Sequence, residues 1–333
     1  NTGNNFAGTV NLAGGATQIT DASALTLGTL GTGALTAVSH GALNLGSGTV
    51  TGNLAATSNN GAIGQTGALH VTGSSTINAG SAAIALTNAS NDFGGAVTAT
   101  GTGVQITDAN NLAIAGLANG ANGAVSLIAG GVLTLPAGAI DTGTANLTLV
   151  SSGGSLTTPG ALSGANVSLA GQGGVTLNSN VTAAGTLNLV SGAAISQGAG
   201  IITAGTLTGS SVGNTTLNRA NKIGTLGSFS AANFSLINAQ ALTVNGPLTT
   251  TGNAGDIDLE TTGGALVVNA NLAGDTVALT SAGNLALSKN LQGSTVALVS
   301  GGSISQGGGV ITAATLSGSA VGSTTLNQAN KVA

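Results

Sequence analysis

The sequence predicts an all-β fold, a parallel β-helix (β-solenoid) of about 15 coils with roughly 20–22 residues in each. Three observations support this prediction: the chain repeats itself at two scales, apolar and small polar residues alternate in short runs between glycine-rich corners, and the composition suits only a narrow core. Such short runs cannot bury an apolar face alone. Stacked coils would place equivalent runs in register at about 4.8 Å, with every interior strand paired on both sides.

The shorter repeat is a triplet of an apolar residue, a variable residue and leucine. Seven copies share this pattern, and neighbouring copies are separated by the length of about one predicted coil, except between the copies at Leu187 and Ile257. Because side chains alternate across a strand, the first and third residues of a triplet face the same side. These positions are the predicted core columns: Val125, Leu127, Leu147, Leu149, Val167, Leu169, Leu187, Leu189, Ile257, Leu259, Val277, Leu279, Val296 and Leu298.

The longer repeat consists of whole blocks. Residues 5–25 recur as 92–112, an offset of 87, and residues 189–222 recur as 298–331, an offset of 109. Both offsets are multiples of about 22 residues, which we assign to one coil. We therefore expect residues 1–333 to form a single continuous β-helix that is a segment of a longer protein.

The composition narrows the possible functions. There are 58 Gly, four Phe and no Trp, Tyr, Met or Cys, which indicates a core without bulky side chains and without disulfides or thiolate metal sites. A hydrophobic share of 41% argues against disorder. Eight acids and four scattered bases form no basic patch, and no apolar run approaches ~18 residues. We expect no cofactor, no nucleic-acid partner and no membrane-spanning segment.

Three blocks resemble a known family. The run from Asn221 to Phe229, the run from Ala239 to Val244 and the doubled Ser-Gly-x-x-Ile-Ser-Gln-Gly at Ser191 and Ser300 are similar to the repeat region of filamentous haemagglutinin-type adhesins. The resemblance extends over essentially the whole chain. It implies a right-handed parallel β-helix, exported by two-partner secretion through an outer-membrane barrel of a Gram-negative bacterium and folded at the cell surface or outside the cell.

Polar residues at equivalent places are predicted to form structural corners. Asp21 and Asp108 occupy matching positions in the pattern apolar-x-Asp/Asn-Ala-x-x-Leu, and Asn238 takes that position in a third copy. Carboxylate and amide side chains both cap backbone amides at turns. A catalytic acid would not tolerate replacement by an amide, so the pattern favours a structural role.

The densest acidic cluster is formed by Asp256, Asp258 and Glu260, which alternate with apolar residues. If the apolar residues point inward, the three carboxylates share an outer strand face at roughly 6.6 to 7 Å between neighbours. We expect a solvated face. A weak Ca²⁺ site is the alternative interpretation, although the calcium-binding nonapeptide pattern is not met because Ile257 stands where its Asp belongs.

The sequence thus favours a non-enzymatic structural protein, the shaft of a secreted adhesin or extracellular filament that mediates attachment or cell–cell aggregation. Its expected partners are the secretion barrel during export, and then a host-cell or glycan receptor or like chains. The alternatives are a polysaccharide-acting β-helix enzyme and a carbohydrate-binding β-solenoid. An enzyme cleft would require clustered basic residues, and the chain has only Arg219, Lys222, Lys289 and Lys331.

Overall fold

The computed structural model describes residues 3–333 and confirms the predicted fold class, an all-β parallel β-solenoid. The coils fall into two compact units, one ending at Ala165 and the other beginning at Asn166, which together contain about 16 coils. The single short departure from strands and turns among the described residues is a 3-10 turn at Thr251–Asn253. The expectation of one continuous β-helix over residues 1–333 stays a prediction.

The strands of the first unit are short and follow one another around each coil. They are β1 (Val10–Gly14), β2 (Thr17–Asp21), β3 (Leu25–Thr32), β4 (Leu35–Ser39), β5 (Leu43–Asn44), β6 (Ser47–Val50), β7 (Leu54–Thr57), β8 (Ile63–Gly64), β9 (Leu69–Val71), β10 (Ser75–Asn78), β11 (Ile84–Leu86), β12 (Asp92–Phe93), β13 (Val97–Gly101), β14 (Val104–Asp108), β15 (Leu112–Asn119), β16 (Val125–Ala129), β17 (Leu133–Thr134), β18 (Ile140–Asp141), β19 (Leu147–Ser151), β20 (Leu156–Thr158) and β21 (Leu162–Gly164).

The second unit includes several longer strands that continue around a corner. Its strands are β22 (Val167–Gly171), β23 (Val175–Leu177), β24 (Val181–Ser191), β25 (Ile195–Gln197), β26 (Ile202–Ser211), β27 (Thr215–Ala231), β28 (Phe234–Asn238), β29 (Leu242–Val244), β30 (Leu248–Thr250), β31 (Ile257–Thr261), β32 (Leu266–Val268), β33 (Leu272–Ala273), β34 (Thr276–Ser281), β35 (Leu285–Leu287), β36 (Leu291–Gln292), β37 (Thr295–Ser300), β38 (Ile304–Gln306), β39 (Ile311–Ala313), β40 (Thr315–Ala320), β41 (Thr324–Thr325) and β42 (Lys331–Val332).

A typical coil supplies three strands, one to each of three faces. Strands β31, β32 and β33 make one such coil, and they pair in parallel and in register with β34, β35 and β36 of the next. The coil length varies more than the sequence indicates. Leu25 pairs with Leu43, which makes that coil shorter than predicted, whereas Phe234 pairs with Ile257, which makes that coil longer. The extra or missing residues lie in the corners, and the strands keep their register because it depends on the strand pairs alone.

The interior consists of stacked apolar columns. All fourteen triplet positions are buried, none more than 1% exposed. Within the second unit one column runs through Leu259, Leu279 and Leu298, which pair directly from coil to coil. The interior remains narrow because leucine, valine, isoleucine and alanine fill most of it. Three phenylalanines, Phe93, Phe229 and Phe234, are also buried, and the ring centroids of Phe229 and Phe234 lie 4.8 Å apart in a tilted arrangement.

Glycine is required where one corner crosses closely over another. Gly46 has φ of +65°, and a Cβ at this position would overlap the carbonyl oxygen of Gly28 in the preceding coil. Any other residue would have to move that backbone as well as adopt a left-handed conformation. Part of the high glycine content therefore serves the close approach of coils at corners.

Ser75 is an imperfection in the apolar interior of the first unit. Its side chain is 1% exposed, and its hydroxyl is the one buried side-chain polar atom among residues 3–333 that has no hydrogen-bond partner. Its in-register neighbours are Leu54 and Val97. Ser75→Val should extend this column and is expected to raise the free energy of unfolding by about 1–2 kcal/mol, measured by urea denaturation.

The matched control is Ser39→Val in the same unit. Ser39 is also fully buried, but its hydroxyl donates a hydrogen bond of 2.7 Å to the carbonyl oxygen of Gly41. Its replacement should lower the free energy of unfolding by about 1–2 kcal/mol because the carbonyl loses its donor. A loss of stability in both variants would contradict the assignment of Ser75 as an unpaired polar group.

Candidate functional site

The carboxylate of Asp21 binds backbone amides across coils. One of its oxygens accepts a hydrogen bond of 2.7 Å from the Phe6 amide, and the other accepts from the Ser23 amide at 2.7 Å and the Ser23 hydroxyl at 2.8 Å. The bond from Phe6 lowers the pKa of Asp21 from its usual 3.8 by more than burial raises it, and Ser23 and the charge of His40 lower it further. Both oxygens are therefore occupied in holding a corner.

Asp108 repeats this arrangement, but its pKa shifts in the opposite direction. Its carboxylate accepts hydrogen bonds from the amides of Phe93 and Asn110, both at 2.7 Å, and its side chain is buried. Burial raises the pKa of Asp108 against these two hydrogen bonds, and the charge of Asp92 raises it further. The two corner aspartates thus differ in acidity although their amide bonds match, because desolvation outweighs hydrogen bonding at Asp108 only.

Asn238 holds the equivalent corner in the second unit with a different set of bonds. Its side-chain oxygen accepts from the Ile223 amide at 2.8 Å, the counterpart of the bonds from Phe6 and Phe93. Its amide nitrogen donates to the carbonyl oxygens of Ile223 at 3.0 Å and Gln240 at 2.9 Å. The two aspartate carboxylates and the Asn238 side-chain oxygen thus all accept a backbone amide from another coil. In the turn that follows, the aspartates accept from a backbone amide, whereas the Asn238 side-chain nitrogen donates to a backbone carbonyl.

The raised pKa of Asp108 predicts a distinct pH dependence. The folded chain holds this proton more tightly than the unfolded chain, so the contribution of Asp108 to stability is fully present below its ordinary pKa of 3.8 and declines as pH rises through the folded value. Asp108→Asn should remove this decline. Urea unfolding of both proteins across acidic to neutral pH gives the two slopes, whose difference isolates this group.

Asp21→Asn is the matched control and should act in the opposite direction. A lowered pKa gives a contribution that is present above 3.8 and lost as pH falls through the folded value. The native protein should therefore lose free energy of unfolding on acidification through Asp21, and Asp21→Asn should not show this part of the loss. Equal pH slopes for the native protein and both variants would contradict the assigned directions.

An internal amide network joins neighbouring coils near these corners, and sequence reasoning did not identify it. In the second unit, Gln197 and Asn221 form a reciprocal amide pair, with nitrogen–oxygen distances of 2.7 and 3.1 Å. Gln306 and Asn330 repeat the pair, with both distances at 2.8 Å. The signal was present, because these residues belong to the block 189–222 that recurs as 298–331.

Asn221 makes the most hydrogen bonds of the four network residues in the second unit. It is fully buried, and its oxygen also accepts from the Ile202 amide at 2.9 Å. Its nitrogen donates to the carbonyl oxygens of Leu217 at 2.9 Å and Ile237 at 3.2 Å. These bonds satisfy backbone groups where an apolar column gives way to a corner.

The first unit contains the same device. Gln65 and Asn91 form its amide pair, with nitrogen–oxygen distances of 2.7 and 2.9 Å. The oxygen of Asn91 also accepts from the Leu69 amide at 3.0 Å, and Asn91 is fully buried. Both units therefore use a glutamine and an asparagine from neighbouring coils to close a polar corner.

The acidic cluster lies on a solvent-facing strand. Asp256 and Asp258 are exposed and Glu260 is partly exposed, while Ile257 and Leu259 between them are buried. Neighbouring atoms displace part of the water around the Asp258 carboxylate, and this desolvation raises the pKa of Asp258. Within residues 3–333 no three His, Cys, Asp or Glu side chains are close enough together to hold a metal ion. The weak Ca²⁺ site at Asp256, Asp258 and Glu260 stays an untested alternative.

The fold and these corners define the class of protein as a parallel β-solenoid repeat protein. Residues 32–100, about one fifth of the chain, match a family described as repeats of unknown function (DUF5649). Comparison with curated proteins and with solved structures gives no match. Among residues 3–333 no helix is long and apolar enough to cross a membrane.

Proposed function

We propose that this chain is the non-enzymatic shaft of a secreted, surface-exposed bacterial adhesin or extracellular filament that mediates attachment or cell–cell aggregation. The observation that carries the proposal is the in-register stacking of coils inside each unit, with apolar columns and satisfied internal amides. Every strand-to-strand bond in such a stack resists bending, which suits a spacer that holds a binding region away from a cell.

The resemblance to filamentous haemagglutinin-type repeats supports the remaining parts of the proposal. These are two-partner secretion through an outer-membrane barrel, a final location at the cell surface or outside the cell, and binding to a host-cell or glycan receptor or to like chains. The lack of Cys fits export of an unfolded chain, because a disulfide formed before export would obstruct threading. With only four Lys and Arg residues, the chain offers no basic patch for the phosphates of nucleic acid, so we propose no nucleic-acid partner.

The experiment is deletion of the coding region in the producing bacterium, with antibodies raised against the purified chain. Intact native cells should be labelled by the antibodies, and deletion should reduce attachment or aggregation, which the native chain restores. Labelling that requires permeabilised cells, or unchanged attachment after deletion, would refute the adhesin proposal.

The absence of catalysis is tested separately. Purified chain incubated with a panel of acidic and neutral polysaccharides should release no new reducing ends and no unsaturated uronates. Release that depends on the chain would favour the enzyme alternative instead.

A further inference from the structure

One face of the first unit is a seven-stranded sheet that carries no exposed charge. Its strands are paired in the order β2, β4, β7, β10, β13, β15 and β17. Asp21 is the single ionisable residue on these strands, and it is fully buried. No Lys or Arg occurs in residues 1–165. This unit therefore lacks the basic side chains that β proteins commonly use against association of their exposed strands.

The outward side chains of this sheet form two columns of small, uncharged residues. On the four consecutive strands β4, β7, β10 and β13, the first column contains Thr36, Ala55, Thr76 and Thr98, and the second contains Val38, Thr57, Asn78 and Thr100. Neighbours in a column are in register at about 4.8 Å. None of the five threonine hydroxyls has a hydrogen-bond partner among residues 3–333. The face thus presents methyl groups and free hydroxyls at regular intervals.

This surface fits a partner that is itself uncharged and repeats at the coil spacing. The seven strands contain no aromatic side chain for stacking on a sugar and no exposed ionised group for an ion or a phosphate. A partner whose side chains interdigitate with these columns over several coils must repeat at about 4.8 Å. A second copy of this chain presents that repeat on the same face.

The first column also places a projecting side chain beside a gap. Ala55 leaves the gap, and the exposed Thr76 projects from the next coil. A two-fold axis parallel to the strands, located between these two coils, sets Thr76 of each copy over Ala55 of the other. The same rotation sets Thr36 opposite Thr98, where two free hydroxyls can form a hydrogen bond.

We propose that this face binds the same face of a second copy, as two sheets packed about 10 Å apart with antiparallel solenoid axes. The six strands from β2 to β15 in this sheet span about 29 Å by about 14 Å, which gives roughly 400 Å² per copy. Contacts of that size form weak, reversible complexes, so we expect a dissociation constant of roughly 10–1,000 µM. The inference rests on the proposed function and identifies the surface that binds like chains.

The experiment is sedimentation velocity of the full chain over a concentration series, which should show a reversible monomer–dimer equilibrium. Because no ion pair contributes, sodium chloride up to about 1 M should not weaken the dimer. Thr76→Lys brings two ammonium groups together across the two-fold axis and should weaken association at least about tenfold. Ala55→Asp should weaken it similarly with two carboxylates.

A mixture of these two variants gives the sharpest test. The ammonium of one chain then lies over the carboxylate of the other, so the mixture should form a dimer that neither variant forms alone. Unlike the native dimer, this mixed dimer should weaken as salt is added.

Thr148→Lys is the matched control for an added cation. Thr148 lies on β19 of the same unit, which does not belong to this sheet, and it alternates with buried leucines. This control should leave association unchanged. Thr76, Ala55 and Thr148 all lie outside the buried core, so closely similar thermal melts are expected for the three variants and the native chain.

The inference is overturned if the native chain stays monomeric at about 1 mM, if Thr148→Lys weakens association as much as Thr76→Lys, or if the mixture does not dimerise. Its failure is distinguishable from failure of the proposed function. A monomeric chain that antibodies label on intact cells and that restores attachment would remove only the contact between copies. Dimers of a chain that antibodies do not find on intact cells would leave this contact and remove the adhesin proposal.

Discussion

Leu127→Asp is expected to lower the free energy of unfolding of the first unit by more than about 4 kcal/mol. Leu127 is fully buried and lies between its in-register partners Ile106 and Leu149. A carboxylate at this position has apolar neighbours above and below and no donor within the column. Because each coil is stabilised by its two neighbours, the damage should spread to the adjacent coils.

Urea unfolding followed by far-ultraviolet circular dichroism measures the loss of stability, and backbone hydrogen exchange locates it. The matched control is Ser126→Asp on the same strand, whose side chain is outward between Gln105 and Thr148. This control should change the free energy of unfolding by less than about 0.5 kcal/mol. Equal effects of the two substitutions would mean that inward and outward positions on this strand are reversed.

Asn221→Ala is expected to lower the free energy of unfolding of the second unit by about 3–5 kcal/mol. The substitution leaves the Ile202 amide without an acceptor and the Leu217 carbonyl without a donor, in a fully buried environment. It also removes the amide partner of Gln197 inside the coil. Unsatisfied polar groups in the interior destabilise more than the lost bonds alone, because they were desolvated on folding.

Hydrogen exchange at the Ile202 amide, together with urea unfolding, tests this expectation directly. The control is Asn218→Ala on the same strand β27, where the exposed Asn218 accepts one hydrogen bond of 2.8 Å from the Ser235 hydroxyl. Its loss should cost less than about 0.5 kcal/mol, since water replaces the donor. Protection of the Ile202 amide that survives Asn221→Ala would show that this amide does not depend on the network.

The sequence predicted the strands of the coils better than it predicted the lengths of the corners between them. Alternation of apolar and small residues predicted the parallel β-solenoid, because only inward apolar columns can bury such short strands. The coil length was less predictable: the span from Leu25 to Leu43 is shorter than predicted, and that from Phe234 to Ile257 is longer. Extra residues at Thr251–Asn253 form a 3-10 turn outside the strands, so they lengthen the coil without disturbing the register.

The polar interior was beyond the reach of local patterns. Gln197 and Asn221 are separated by more than a full coil of sequence, so no short motif contains both. Asn218 and Asn221 look alike in the sequence, although one is exposed and the other fully buried. Whether an asparagine satisfies an internal carbonyl or faces water depends on the path of the next coil. The burial of a corner residue depends on the backbone of two coils together, so it produces no periodic pattern in the sequence of one coil.

The sequence by itself determined that this chain is a β-solenoid and which apolar residues face its interior, because side-chain alternation and repeat length act locally and recur in every coil. Only the tertiary structure decided which corner aspartate has a raised pKa and which side-chain amides pair inside the coils. The physical reason is that these properties depend on distances of about 5 Å between coils, which join residues about 20 positions apart.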